Sequence, residues 1–362
     1  MATWNHLSNI SRGEERAFLP IEKWGRDEDY FWYSGGASFV DRAQDLVGGK
    51  AGDAWLAHLY IRDLGRGKPF VMGKYERVRL AMSMAEGYAT GALGMGRYMN
   101  FRDPHGFDIL ARYTRFRHRH DDLFRAAEPA AETALLLPRQ GAQNRRPEEL
   151  DAFRALGQAL LELPIALDIL VDQRLTLETL ARQRAVVLPA TASLTPAQTA
   201  MLEAYAGAGT LFVWRDEAAT DATNINGAVI IDAANAGEAA RKIREHLKQS
   251  GIPMIQSPWT VRVAIYRQPK RHLLHLVNYD REPGAREDNR GSPADELPLD
   301  VHDISVEMLT ARDELPVKVT LHAPDNDEPV GLDFRHADGQ LSFVIPGLRV
   351  YAIVAVDYSA DD

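Results

Sequence analysis

Over the first 130 residues or so, short apolar runs alternate with longer amphipathic stretches in a segment rich in aromatics and glycine. Residues 29–36 (DYFWYSGG) have the pattern of a short buried strand closed by a glycine turn. Residues 51–64 predict a helix on which Trp55, Leu56, Leu59 and Tyr60 share a face. A second strand is expected over 69–73, a second helix over 77–89 and a short third strand at Tyr98-Met99. Residues 107–123 predict a helix with a basic face of Arg112, Arg115, Arg117, His118, Arg119 and His120. Strand and helix in alternation predict parallel α/β structure.

The next stretch, 131–255, repeats that alternation more cleanly. Strands are expected at 133–137 (closed by Pro138), 166–171, 185–189, 210–214 and 229–232. Helices are expected at 148–161, 175–180, 197–206 and 237–249, with 140–147 as a polar turn. Ser193 or Thr195 would cap the third of these helices, and Gly207 or Gly209 would end it. The result is a compact doubly wound unit. From 256 to 362 the period shortens to two: 261–266, 273–278 (less cleanly), 301–308, 316–321, 331–335, 340–345 and 350–356 alternate as short strands, with Asp338-Gly339 as a hairpin turn. No long helix interrupts them, which predicts an antiparallel sandwich.

Composition narrows the chemistry. At 362 residues, two or three domains are expected. The formal charge of −9 argues against a phosphate-backbone binder, so no nucleic-acid partner is expected. Cysteine is absent, which excludes disulfides, thiolate metal sites and a cysteine nucleophile. Residues 1–20 hold Arg12, Glu14, Glu15 and Arg16 and no apolar run, so neither a signal peptide nor a membrane span is expected, and the expected location is cytoplasmic.

Several phrases resemble a known group. Residues 112–117 through Asp122-Leu123-Phe124, then 133–138, are similar to the junction between a barrel and a middle domain. Val186-Val187-Leu188-Pro189, Leu194-Thr195 and the stretch from Leu202 through Tyr205 to Gly209 resemble that middle domain, and residues 275–279 the first long strand of a sandwich. Together they resemble the C-terminal part of multidomain glycoside hydrolases, the beta-galactosidases with a trimerisation middle domain among them. The resemblance implies a partial (β/α) barrel-like region at 1–130, a flavodoxin-like or amidotransferase-like parallel-sheet domain without its catalytic cysteine at 131–255, and a C-terminal antiparallel β-sandwich at 256–362. It assigns the middle domain to scaffold or oligomer contacts.

A full (β/α)8 barrel takes about 250 residues, so the first region has room for about three β/α units. An open partial barrel exposes a sheet edge and interior positions. The expected partner is therefore a second copy, in a homodimer or homotrimer, or a missing barrel half. Glycoside hydrolysis needs two carboxyl groups, about 5 Å apart for retention and about 6.5–9.5 Å for inversion. In barrels they stand at the carboxyl ends of strands. The first expected strand ends in Tyr33-Ser34-Gly35-Gly36, where the resemblance implies a carboxylate that this sequence lacks. The second runs into Lys74-Tyr75-Glu76, which makes Glu76 the candidate catalytic acid, with a first-turn helix acid as the plainer role.

Trp32, Tyr33, Lys74, Tyr75, Arg97 and Arg102 are candidate sugar contacts, an aromatic face suiting the apolar face of a pyranose. In an alternating strand one of Trp32 and Tyr33 faces the helix layer instead. Asp29, at the amino end of its strand, reads as a cap or an ion-pair partner, and Glu86, among Met82, Met84 and Tyr88, as a paired helix residue. His118 and Asp122 share a helix face but have no third ligand, and Ser193 has only His246 as a distant partner, so no metal and no Ser-His pair is expected. Gly207-Ala208-Gly209 sits at a helix end, not a start, so no nucleotide cofactor is expected. Two functions remain: a glycoside-hydrolase-like protein, incomplete or inactive in one version, acting on glycosidic bonds, and a non-catalytic carbohydrate-binding or assembly protein.

Overall fold

The computed structural model describes residues 2–5, 27–33, 51, 54–65, 67–72, 79–94, 103–143, 146–189, 193–215, 224–282, 297–311 and 314–359. The chain is mixed α/β, with two parallel sheets followed by an antiparallel sandwich. Strands β1 (Ala2–Asn5), β2 (Tyr30–Tyr33) and β3 (Phe70–Met72) form a parallel sheet in that order. The short apolar runs at 29–36 and 69–73 located β2 and β3; β1, four residues long, was not expected.

Helices α1 (Ala54–Gly65) and α2 (Leu80–Thr90) follow β2 and β3. Neither is amphipathic in the usual sense: every residue of α2 is buried, including Ser83, Glu86 and Thr90. α2 stops at Gly91, whose φ of 99° lets its N–H reach the carbonyls of Gly87 and Tyr88. Helix α3 (Pro104–Arg119) starts and ends earlier than the apolar pattern predicts. Asp103 caps it by accepting the His105 and Gly106 N–H groups, and Pro104 takes the first helical position. At its far end a 3-10 turn, Asp121–Leu123, replaces the last helical turn.

After the two-residue strand β4 (Glu128–Pro129) comes the doubly wound unit. Its strands are β5 (Thr133–Leu137), β6 (Leu167–Val171), β7 (Ala185–Leu188), β8 (Thr210–Arg215) and β9 (Val229–Asp232), all paired in parallel in the order β6-β5-β7-β8-β9. The helices are α4 (Arg139–Gln143), α5 (Pro147–Leu161), α6 (Leu177–Ala181), α7 (Pro196–Ala206) and α8 (Ala236–Gln249). The polar stretch 140–147, expected to be a turn, thus opens with a short helix. Side chains alternate between two cores. Leu135, Ile169, Val187 and Phe212 face Phe153, Leu156, Ile243 and Leu247, whereas Leu136, Leu170, Val186 and Leu211 face Leu180, Leu202 and Tyr205. A Cβ on Gly157 would stand 2.9 Å from Leu56 and 3.0 Å from Leu135, so glycine is what lets α5 lie tight between α1 and β5.

The remaining strands are β10 (Met254–Gln256), β11 (Val261–Gln268), β12 (Arg271–Asn278), β13 (Val301–Leu309), β14 (Pro316–His322), β15 (Val330–Gly331), β16 (Phe334–Ala337), β17 (Gln340–Leu348) and β18 (Tyr351–Tyr358). They form a six-stranded sheet, β15-β14-β18-β12-β11-β4, and a four-stranded sheet, β10-β13-β17-β16, with a shared apolar core between them. The single strand expected at 331–335 is two, one in each sheet. Asp338 (φ 54°) and Gly339 (φ 73°) make the two-residue turn between β16 and β17, as their sequence predicts. β13 and β17 alternate, but β12 and β18 are buried almost throughout. The cause is a second cover: Leu273, Val277, Tyr351 and Ile353 pack outward against the core that holds α2 and α3.

Candidate functional site

The three strands β1–β3 point their carboxyl ends the same way. Asn5 pairs with Tyr33, and Tyr33 with Met72, so the last residues of the strands are level. Trp32 and Tyr33 thus sit at the carboxyl end of the middle strand, flanked by Trp4 and Asn5 on one side and by Val71 and Met72 on the other. Lys74, Tyr75, Glu76, Arg97 and Arg102 lie outside the described residues, as do Tyr98 and Met99 of the expected third strand. Asp29 is exposed at the opposite end of β2, and Lys68 donates to the carbonyl of Glu28 at 2.5 Å.

Behind this sheet, Phe31 and Phe70 pack on Ala57 and Ile61, so α1 sets the position of β2 and β3. α1 is itself held by polar bonds at both ends. The Ala51 carbonyl, just before it, accepts Arg262 Nη2 at 2.8 Å from β11 and Gln158 Nε2 at 2.7 Å from α5. Near its other end, Arg62 donates to Asp168 of β6 at 2.6 Å and to the Tyr266 hydroxyl of β11 at 2.9 Å. Arg174 reaches the Asp63 carbonyl at 2.7 Å. Each end of α1 is therefore bonded to both the doubly wound unit and the sandwich.

α2 is tied to the sandwich by a buried acid. Glu86 Oε2 accepts the Tyr279 hydroxyl at 2.6 Å, and its Oε1 is 3.7 Å from His58 Nδ1. Thr90 donates to the Glu86 carbonyl at 2.7 Å and stands 3.1 Å from the same His58 nitrogen. Tyr266 donates to the Ala89 carbonyl at 3.0 Å. The Arg262 guanidinium, fully buried, lies 5.8 Å from the centre of the Tyr279 ring. Burial first, and the Glu86 carboxylate second, raise the Tyr279 phenol well above its ordinary range, and burial lowers the Arg262 pKa. Glu86 fits the paired role its sequence suggests. Arg262 carried only a weak signal, a charge at an alternating position of VRVAIY.

The carboxyl edge of the five-stranded sheet is where doubly wound folds hold ligands, at the switch between β5 and β7. Here two of the chain's own carboxylates occupy it. Glu149, fully buried, accepts Ser193 N–H at 3.0 Å and Ser193 Oγ at 2.5 Å, and Arg146 Nη1 stands 3.3 Å away. Asp172 accepts the Gln140 and Gln173 N–H groups at 2.9 and 2.6 Å, and burial pushes its pKa up to about 6. Ser193 and His246 are not brought together: the imidazole packs on Phe212. Of the basic helix end, Asp121 pairs with Arg117 and Arg125, Asp122 with Arg271, and His120 packs on His322. Among the described residues no group of three or more His, Asp or Glu side chains is placed to hold a metal ion, and no helix is long and apolar enough to cross a membrane.

No protein-family model matches the sequence, and no curated protein does. Solved structures do resemble the fold. The match to alpha-L-fucosidase isoenzyme 2 from Paenibacillus thiaminolyticus has 13% identity and a TM-score of 0.62, covering 84% of this chain and 62% of that one. The beta-galactosidase from Bacillus circulans sp. alkalophilus matches at 12% identity and 0.61, covering 93% and 62%. The beta-galactosidase from the psychrophilic Marinomonas ef1 matches at 11% and 0.58, covering 94% and 62%. The chain thus spans about three fifths of the length of these glycosidases. At such identities the likeness is one of fold, and it extends over 84–94% of this chain.

Proposed function

We propose that the chain is a glycoside-hydrolase-like protein whose sugar site lies at the carboxyl ends of β1–β3. The observation that supports it most is a fold likeness to three glycosidases over 84–94% of the chain. In this reading residues 1–130 are a partial (β/α) barrel, 131–255 an amidotransferase-like scaffold and 256–362 a sandwich. Glu76, four positions after Met72, supplies the acid that protonates the leaving oxygen of a glycosidic bond. Trp32, Tyr33, Lys74, Tyr75, Arg97 and Arg102 hold the sugar. The second carboxylate comes from a second copy of the chain or from a missing barrel half.

The test is turnover of aryl galactosides, fucosides and rhamnosides by the full chain and by Glu76→Gln. The expected outcome is measurable release of the aryl group by the unmodified chain and a loss of at least ~100-fold in the variant. Turnover that survives Glu76→Gln overturns the assignment of the acid. Complete absence of turnover favours the second reading, a non-catalytic carbohydrate-binding or assembly protein. One observation already leans that way: the ligand edge of the five-stranded sheet is filled by Glu149 and Asp172, which suits a scaffold. Sugar binding without turnover, or an oligomer by mass measurement in solution, supports that second reading.

A further inference from the structure

Among the described residues, several buried polar side chains of the sandwich reach α1 and α2, the helices behind the proposed site. Of these, Arg262 is the least explained by local structure. It is 0% exposed. Its side chain donates to the carbonyls of Trp259, Val261 and Ala51, and among the described residues no carboxylate is within bonding distance of it. A buried guanidinium without a contacting anion is costly unless its donors are taken up by fixed acceptors. Its charge is answered one layer away by two carboxylates, Glu162, which Gln158 hydrogen-bonds, and Glu86, which the Tyr279 hydroxyl hydrogen-bonds. The bond at Ala51 crosses 211 positions in sequence and lands three residues before α1, the helix that carries Ala57 and Ile61 against Phe31 and Phe70.

We propose that Arg262 is a positioning residue: from the sandwich, through the Ala51 carbonyl and the Tyr279–Glu86 pair, it sets where α1 and α2 stand, and so where β2 and β3 present their carboxyl ends. The proposal rests on the sugar site being at those strand ends. The logic is mechanical. α1 is gripped at its start by Arg262 and Gln158, and near its end its own Arg62 is held by Asp168 and Tyr266. Removing Arg262 leaves Gln158 alone at the start of α1, so that end is held more weakly than the other and shifts more readily, while the apolar contacts that define the fold remain. Such a shift displaces Phe31 and Phe70 with the helix. A displacement of about 1 Å at reacting groups costs up to about 100-fold in rate with little effect on binding.

The experiment uses the full chain and three variants: Arg262→Met, which keeps length and loses every donor, Arg262→Lys, which keeps one charged donor, and Gln158→Leu, which removes the other donor to Ala51. Two readouts are taken, steady-state turnover of the aryl glycoside and amide hydrogen exchange resolved along the chain. For Arg262→Met the expected result is a kcat lower by about 10- to 100-fold with KM within twofold. Exchange in residues 54–61 and 80–90 should be at least tenfold faster, with β5, β7 and β8 unchanged. Arg262→Lys should recover part of both effects, and Gln158→Leu should show the same pattern more weakly.

Exchange that accelerates by one factor over the whole chain, or kcat per folded molecule equal to that of the unmodified chain, overturns the proposal. If Arg262→Met does not fold, Gln158→Leu alone decides: local loosening of 54–61 with a lower kcat supports it, and no local change sinks it. An unmodified chain with no turnover defeats the sugar-cleavage reading only. The exchange arm then upholds or overturns the placement of α1 and α2 by Arg262.

Discussion

The two parallel sheets of this molecule are held in place by different means. The five-stranded sheet is enclosed by amphipathic helices, three of which start at their own caps: Thr176 and Thr195 form capping boxes with Thr179 and Gln198, and Asn235 accepts the Glu238 N–H, while α5 starts at Arg146 without a side-chain cap bond. Its two faces are filled by leucine, valine, isoleucine and phenylalanine with little polar intrusion. The three-stranded sheet is backed by α1, on which α2 packs in turn, and both helices are buried nearly all round. Beyond their apolar packing, these helices are held by a set of long-range polar bonds from Arg262, Gln158, Tyr266 and Tyr279. A self-sufficient unit and a dependent one stand side by side, and the dependent one bears the proposed site.

The largest effect should come from breaking the self-sufficient unit. Phe153, fully buried between α5 and the sheet, has no polar substitute for its packing. Phe153→Ala should cost about 3–5 kcal/mol in urea unfolding. It should leave the relation between kcat and Glu76 intact in the fraction that remains folded. A loss below about 1 kcal/mol would mean that the sheet is not the stabilising core.

A middle-sized effect separates the regions by the sign of their response to acid. Burial holds His275 in the six-stranded sheet down at about 3, and burial likewise lowers His322 to about 4. Their folded forms resist protonation, so the stability they contribute is complete above about 6.5 and is lost as pH falls from there toward the folded values. Asp172 runs the other way. Burial raises it to about 6, so the folded state takes up a proton first and stability rises as pH falls from about 6 to about 3.8. The expected sum is a net loss on acidification, with His275 alone contributing roughly 1.4 kcal/mol per pH unit. Asp172→Asn removes the opposing gain and should steepen that loss between pH 6 and 4, measured by urea titration at each pH. An unchanged or shallower slope in the variant would show that Asp172 is not the group titrating there.

The smallest effect tests the local finish of the helices. Thr195→Ala removes the hydroxyl that accepts the Gln198 N–H and should cost about 1 kcal/mol. Exchange should quicken in the first turn of α7 and not in α1. Equal loosening of α1 would mean that the two regions are more tightly coupled than their separate bonding implies.

Much of this was legible before any coordinates. The β5–β9 strands and their helices follow from short apolar runs, from helical periodicity and from Thr195-Pro196 as a start signal, because the central strands are buried throughout and the helices between them bury one face. Asp338-Gly339 named its turn because two successive residues with positive φ tolerate few other pairs. Where an element depended on a distant neighbour, the pattern misled. α3 begins at Pro104 because Asp103 caps it, and 331–335 splits because its two halves pair with different sheets. β12 and β18 lose alternation because helices from the first region cover their outer face.

Sequence by itself determined the class of each region: alternating strand and helix, then strands alone, with no cysteine chemistry available. Those properties are set by side-chain period and by residue type, which need no partner to be read. Tertiary structure alone decided that Glu86 meets Tyr279, that Arg262 and Gln158 share one carbonyl, and that Glu149 and Asp172 fill the edge of the five-stranded sheet. Each joins residues separated by tens to hundreds of positions. A buried charge must find its partner wherever folding puts one, and nothing local in the chain specifies where that is.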